Sequence, residues 1–155
     1  MVDIDKLKQL REETGISIAL CKKALEESGN DIKKSKSLLS KWGIEKVKDK
    51  STRITGQGSI FSYVHHNKKV ASLLELLCET DFVSQNKEFQ TLGQEIAMQV
   101  ASLPANTLEE LMSQVYIRDS SRKISDLIKE AVLKFGENIK IGRFLRWKLG
   151  ETRNS

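Results

Sequence analysis

Ile60-Phe61-Ser62-Tyr63-Val64-His65-His66-Asn67-Lys68-Lys69-Val70-Ala71-Ser72-Leu73-Leu74-Glu75-Leu76-Leu77 is where the chain changes its period. Ile60, Ser62 and Val64 alternate with Phe61, Tyr63 and His65; His66 to Lys69 supply a polar turn; Val70 to Leu77 return as an almost continuous apolar run. Alternation marks a strand with two unlike faces, and apolar continuity marks a more buried one, so this stretch predicts a β-hairpin with the second strand more buried than the first. Asn138 to Leu149 alternate again, with Ile139, Ile141, Arg143, Leu145 and Trp147 on one parity. That predicts a third strand paired with the hairpin.

Before the hairpin the period is helical. Asp3 or Asp5 caps a first helix with Ile4, Leu7 and Leu10 on one stripe, stopped by Thr14-Gly15. Ser17 caps a second, carrying Ile18, Leu20, Cys21, Ala24 and Leu25 and broken at Ser28-Gly29-Asn30. Asp31 caps a third, with Ile32, Ser35, Leu38, Leu39 and Trp42 inward and Gly43 as its expected stop. Helices this short are marginal alone, so the three must pack on one another. After the hairpin, Phe89, Leu92, Ile96, Ala97, Val100 and Ala101 form the stripe of an amphipathic helix ended by Leu103-Pro104. Thr107 caps a short helix, and Ser120 or Ser121 caps another that Gly136 stops. The expected class is α+β: an N-terminal three-helix domain like the ubiquitin-associated domains, then a core with a small antiparallel three-stranded sheet packed by helices. The expected partition is 1–50 for the helical domain, 51–58 for a linker, 59–150 for the core and 151–155 for a flexible tail.

Composition excludes several classes. The chain has 155 residues, 39% of them hydrophobic, with 26 Lys+Arg against 21 Asp+Glu and a formal net charge of +5. No run approaches the roughly 20 apolar residues that a bilayer span needs. The acidic start, Met1-Val2-Asp3-Ile4-Asp5, lacks the basic and apolar regions of a secretory signal. Cytoplasmic location without membrane contact is the expectation. Two cysteines, with no CxxC pair, fit reduced buried thiols. The charge is uneven: residues 1–50 hold 12 basic against 9 acidic, residues 74–120 hold 2 against 8, and residues 121–155 hold 9 against 4.

Catalytic and ligand-binding readings are weak. Cys21, Cys78, His65, His66, Glu79 and Asp81 could in principle assemble a nucleophile and base, but both cysteines lie in apolar contexts and both histidines at a turn. No pair has the spacing of a structural zinc module, and Gly56-Gln57-Gly58 precedes a strand rather than a helix. No metal, cofactor or enzymatic activity is expected. Lys22-Lys23, Lys33-Lys34-Lys36, Lys46-Lys48-Lys50 and Arg143-Arg146-Lys148 could contact phosphates, yet nearby acids nearly cancel the lysines, so no direct nucleic-acid partner is expected. The most informative stretch is Glu79-Thr80-Asp81-Phe82-Val83, between a buried strand and a capped helix. It must be a surface turn, and its aromatic either folds back onto its own core or anchors a partner.

These segments resemble the elongation factor Ts family, the guanine-nucleotide exchange factors of elongation factor Tu. The resemblance rests on Leu10-Arg11-Glu12-Glu13-Thr14-Gly15, Cys21-Lys22-Lys23-Ala24-Leu25-Glu26-Glu27-Ser28-Gly29-Asn30-Asp31 and Leu38 to Gly43. It continues through Glu79-Thr80-Asp81-Phe82-Val83-Ser84-Gln85-Asn86, Phe89, Gly136-Glu137-Asn138-Ile139 and Arg143-Phe144, in the family's order. It implies that the three-helix domain docks on the nucleotide-binding domain of elongation factor Tu, with Arg11, Thr14, Gly15, Cys21, Lys22, Lys23 and Leu25 at the docking segment. It implies further that Thr80, Asp81, Phe82 and Val83 enter beside the partner's magnesium site and dislodge what holds Mg²⁺ and GDP. The chain has room for one core subdomain where long members have two, which resembles the short members that act as homodimers. A binding adaptor of the ubiquitin-associated kind, without exchange activity, is the alternative.

Overall fold

In the computed structural model residues 1–151 are described; of the expected tail 151–155, everything from Thr152 on lies outside the described residues. The order of elements is α1 (Ile4–Thr14), α2 (Ile18–Ser28), α3 (Ile32–Lys50), β1 (Gln57–Val64), β2 (Val70–Cys78), α4 (Asp81–Ser84), α5 (Lys87–Ser102), α6 (Leu108–Ser113), α7 (Ile124–Phe135) and β3 (Lys140–Lys148). The class is α+β, three consecutive helices followed by a three-stranded antiparallel sheet with helices. Two compact units divide the chain: Met1–Thr52 with Ile128–Glu137, and Arg53–Leu127 with the chain from Asn138 on.

In the helical unit the caps act where the sequence places them. Asp3 accepts the Asp5 and Lys6 amides, Ser17 that of Leu20, and Asp31 that of Lys34. Gly15 and Gly29 end α1 and α2 in the left-handed region, at φ 67° and 66°, which glycine enters without a Cβ penalty. Leu10, Ile16, Cys21, Ala24, Leu25, Leu39 and Leu133 form its buried core. Gly43 does not stop α3, which continues to Lys50. A Cβ on Gly43 would sit 2.9 Å from Leu133 Cδ1, so this glycine serves close packing of α7 on the helix rather than termination. The Lys50 ammonium closes the same corner by donating to the Gly136 carbonyl at 2.9 Å.

In the second unit β2 is the central strand, paired antiparallel with β1 and β3 in the order β1-β2-β3. It is the more buried strand of the hairpin, with Ser72, Leu74, Leu76 and Cys78 all turned inward. The first residues of β1 come from the segment expected as linker: Gln57 pairs with Cys78 and Gly58 with Leu77. Gly58 is required there, since any Cβ would collide with the Leu76 carbonyl oxygen. α5 packs on the inner face, where Gly93 leaves room for the Phe61 ring and Ser72 donates to the Ala97 carbonyl at 2.6 Å. α7 begins later than its expected serine caps: Ser121 instead bonds Asp119, and Asp126 accepts the Lys123 amide at 2.8 Å.

β3 departs from uniform parity. Leu74 pairs with Phe144 but Leu76 pairs with Ile141, so Gly142 and Arg143 together stand opposite Glu75. This bulge reverses the alternation: Ile139 and Ile141 are buried, whereas Arg143, Leu145 and Trp147 are exposed. Glu75 secures it by accepting the Arg143 backbone N–H at 2.9 Å and its guanidinium at 3.0 and 3.1 Å.

Candidate functional site

The segment after β2 is a single turn of helix rather than an open loop. Thr80, in extended conformation, caps α4 by accepting the Val83 amide on its hydroxyl at 3.3 Å. Thr80 also offers its carbonyl to the Cys78 thiol at 3.1 Å and to the Ser84 amide at 3.2 Å. At the other end the Asp81 carbonyl receives the Ser84 hydroxyl at 2.9 Å and the Gln85 amide at 3.0 Å. Asn86 then caps α5 by accepting the Glu88 amide at 2.8 Å. Two caps six residues apart leave no slack between strand and helix.

Within this turn neighbouring side chains go opposite ways. Val83 and Ser84 are each only 6% exposed, whereas Phe82 is 85% exposed and Asp81 beside it is also in solvent. Of the two readings open for Phe82, folding back onto its own core is therefore ruled out. The rigid turn holds an aromatic ring and a carboxylate together at the surface, an arrangement suited to entering a pocket that contains cations or hydrogen-bond donors.

The seven residues of the implied docking segment do not share one surface. Arg11, Gly15, Lys22 and Lys23 are exposed and Thr14 is half-buried, but Cys21 and Leu25 are buried in the core of the helical unit. Cys21 acts from beneath: its thiol donates to the Ile16 carbonyl at 3.6 Å and lies 3.8 Å from the Thr14 hydroxyl, which itself bonds the Leu10 carbonyl at 2.7 Å. Burial pushes the Cys21 thiol above its ordinary range, which opposes a nucleophilic role. Lys134 belongs to the same corner, since a Cβ on Gly15 would lie 3.1 Å from its ammonium. The sequence offered no sign of this neighbour, because 119 positions separate the two along the chain.

The remaining catalytic candidates do not converge. Cys78 pairs with Gln57 at one end of β1 and His65 follows its other end, roughly 25 Å away at strand spacing. His65 lies 2.9 Å from the Tyr63 hydroxyl through Nδ1, and its ring is tilted against that of His66 with centroids 4.1 Å apart. Among the described residues no three His, Cys, Asp or Glu side chains cluster as metal ligands, and no helix is long and apolar enough to cross a membrane. Sequence reasoning passed over Gln90, whose amide donates to the Ser84 carbonyl at 2.6 Å and to the Ser59 hydroxyl at 3.0 Å.

Comparison with known proteins points the same way. The family model described as Elongation factor TS matches residues 79–154, beginning at the exposed turn. A curated protein named Elongation factor Ts from Thermosipho melanesiensis is 37% identical over 196 aligned positions, covering 97% of this chain and all of the relative. Its namesakes from Leptospira biflexa and Thermotoga petrophila are 37% and 36% identical, covering 96% and 97% of this chain and 98% and 97% of their own lengths. The alignments are longer than the 155 residues here, so these relatives hold stretches without a counterpart in this chain. With a family match that opens on the turn and with identity of this order along nearly the whole length, the chain belongs to the elongation factor Ts family of translation elongation factors.

Proposed function

We propose that the protein is a guanine-nucleotide exchange factor for elongation factor Tu, and that the turn Thr80–Val83 is its working element. The three-helix unit docks on the nucleotide-binding domain of the partner. Phe82 then enters beside the Mg²⁺ site with Asp81 next to it, and the displaced elements loosen their hold on the metal and on GDP. Mg²⁺ neutralises the nucleotide phosphates, so disturbing its surroundings is an efficient way to lower nucleotide affinity. The protein needs no cofactor and makes or breaks no covalent bond. It acts in the cytoplasm, and as a homodimer: Ile60, Val64, Leu73, Leu145 and Trp147 leave the outer side of the sheet apolar and exposed, the kind of surface a second copy covers.

The observation that carries this reading is the 85% exposure of Phe82 on a turn whose next two residues are packed inward. Binding free energies are reciprocal, so a protein that weakens GDP binding must itself be weakened by GDP to the same factor. The test is release of fluorescently labelled GDP from elongation factor Tu as the full-length chain is titrated in. The expected result is a rate that rises and saturates, with affinity for the partner falling when GDP is added. A flat rate, or an affinity indifferent to GDP, would overturn the proposal.

A further inference from the structure

We infer that Gln90 is the positioning residue of the exposed turn, fixing the rotation of α4 about its own axis and with it the direction in which Phe82 stands. The inference rests on the reading of Thr80–Val83 as the inserting element.

α4 has four residues, too few to sustain itself, since forming one helical turn fixes several dihedrals for a single hydrogen bond. Its orientation must come from outside. The amide of Gln90 has two hydrogens, and both are used: one on the Ser84 carbonyl at 2.6 Å, the other on the Ser59 hydroxyl at 3.0 Å. One side chain on α5 thus ties the last carbonyl of α4 to β1. Consecutive residues on a helix are about 100° apart, so pinning Ser84 while Val83 is packed inward leaves Phe82 facing away from the sheet. The thiol of Cys78 and the hydroxyl of Thr80 hold the N-terminal side of the turn, while the Asn86 amide donating to the Val83 carbonyl at 3.0 Å closes its C-terminal side without reaching the sheet. Without Gln90 the Ser84 carbonyl loses its protein donor and the tie from the end of α4 to β1, so the C-terminal half of the turn is held only by bonds within its own segment and by the packing of Val83. Gln90 touches no partner in this scheme; it acts through Phe82.

Gln90→Ala removes the donor, and Gln90→Glu keeps the size while setting a carboxylate against the Ser84 carbonyl. For both variants of the full-length chain, GDP release from elongation factor Tu is followed across a titration, and backbone amide exchange is measured in the free protein. The expected result is a fall of about fivefold or more in the saturated release rate, with the half-saturating concentration within about twofold of wild type. Amides from Val83 to Asn86 should exchange about tenfold faster, with those of β2 and α5 unchanged. Wild-type release and wild-type exchange in both variants would overturn the inference. So would faster exchange spread through β2 and α5, since Gln90 would then be an ordinary structural residue. If Phe82→Ala abolishes stimulation while both Gln90 variants keep it, only this inference fails. If Phe82→Ala has no effect on release, the inserting role fails, and amide exchange still decides whether Gln90 holds the turn.

Discussion

The turn Thr80–Ser84 and the α1–α2 loop at Thr14–Ser17 are both short connections closed by local hydrogen bonds, and they treat their apolar residues in opposite ways. The loop swallows Ile16, 3% exposed, and binds its carbonyl to a buried thiol; the turn sends Phe82 out. What the flanking helices show to solvent is charge, Arg11 on α1 and Lys22 and Lys23 on α2. Under the proposed function, the difference separates two ways of engaging a partner. A charged rim over a packed interior steers and orients, contributing modestly to affinity, whereas an aromatic ring on a fixed support delivers burial energy to one place.

That comparison can be broken at several points. Leu25 is fully buried in the same core that takes Ile16, so Leu25→Ala should lose about 2–5 kcal/mol of stability in urea unfolding. Phe82→Ala, at an exposed position, should stay within about 0.5 kcal/mol of wild type in the same experiment. Equal losses would mean that the ring supports the fold rather than a contact. Gly15→Ala forces a Cβ into φ 67°, so a loss of about 1–2 kcal/mol and a lower Tm are expected, with Gly56→Ala as an unstrained control.

The double variant Lys22→Ala/Lys23→Ala should weaken binding to elongation factor Tu by about two- to fivefold, with the effect shrinking as salt is raised. A loss of saturated exchange rate instead would place these lysines in the exchange step. The smallest effect lies on the sheet. Hydrogen bonds from the Arg143 guanidinium and then from its backbone N–H hold Glu75 well below its ordinary 4.5, at about 2. A carboxyl lowered in this way stabilises the fold above the unfolded-state value and loses that contribution as pH falls through the folded one. Glu75→Gln should therefore lower stability modestly at pH 7, where the ionised carboxylate contributes in full, and flatten the profile between about pH 4.5 and 2 so that the two proteins converge at low pH.

Much of the fold was legible because its signals are local. Asp3, Ser17, Asp31 and Thr107 cap the helices they precede, and the change of period at Ile60 marks the hairpin. What was not legible depends on distant neighbours. Gly43 reads as a stop until Leu133 is seen lying against it. The parity of β3 is uniform in the sequence and reversed in the sheet, because the bulge is set by Glu75 on another strand. At the turn, the residue types of Asp81 and Phe82 singled them out, but whether Phe82 faced inward or outward hung on the packing of Val83 and on a side chain from α5. Cys21 and Leu25 carry the resemblance without reaching the surface, because sequence similarity registers the packing beneath a contact as readily as the contact itself.

The most direct test of the central claim is the saturated rate of labelled GDP release from elongation factor Tu with Phe82→Ala in place of the wild-type chain. The account predicts a variant that folds, still binds the partner, and releases GDP about tenfold or more slowly, a loss of about 1.4 kcal/mol or more in transition-state stabilisation. A folded Phe82→Ala protein that drives release at the wild-type rate would contradict it.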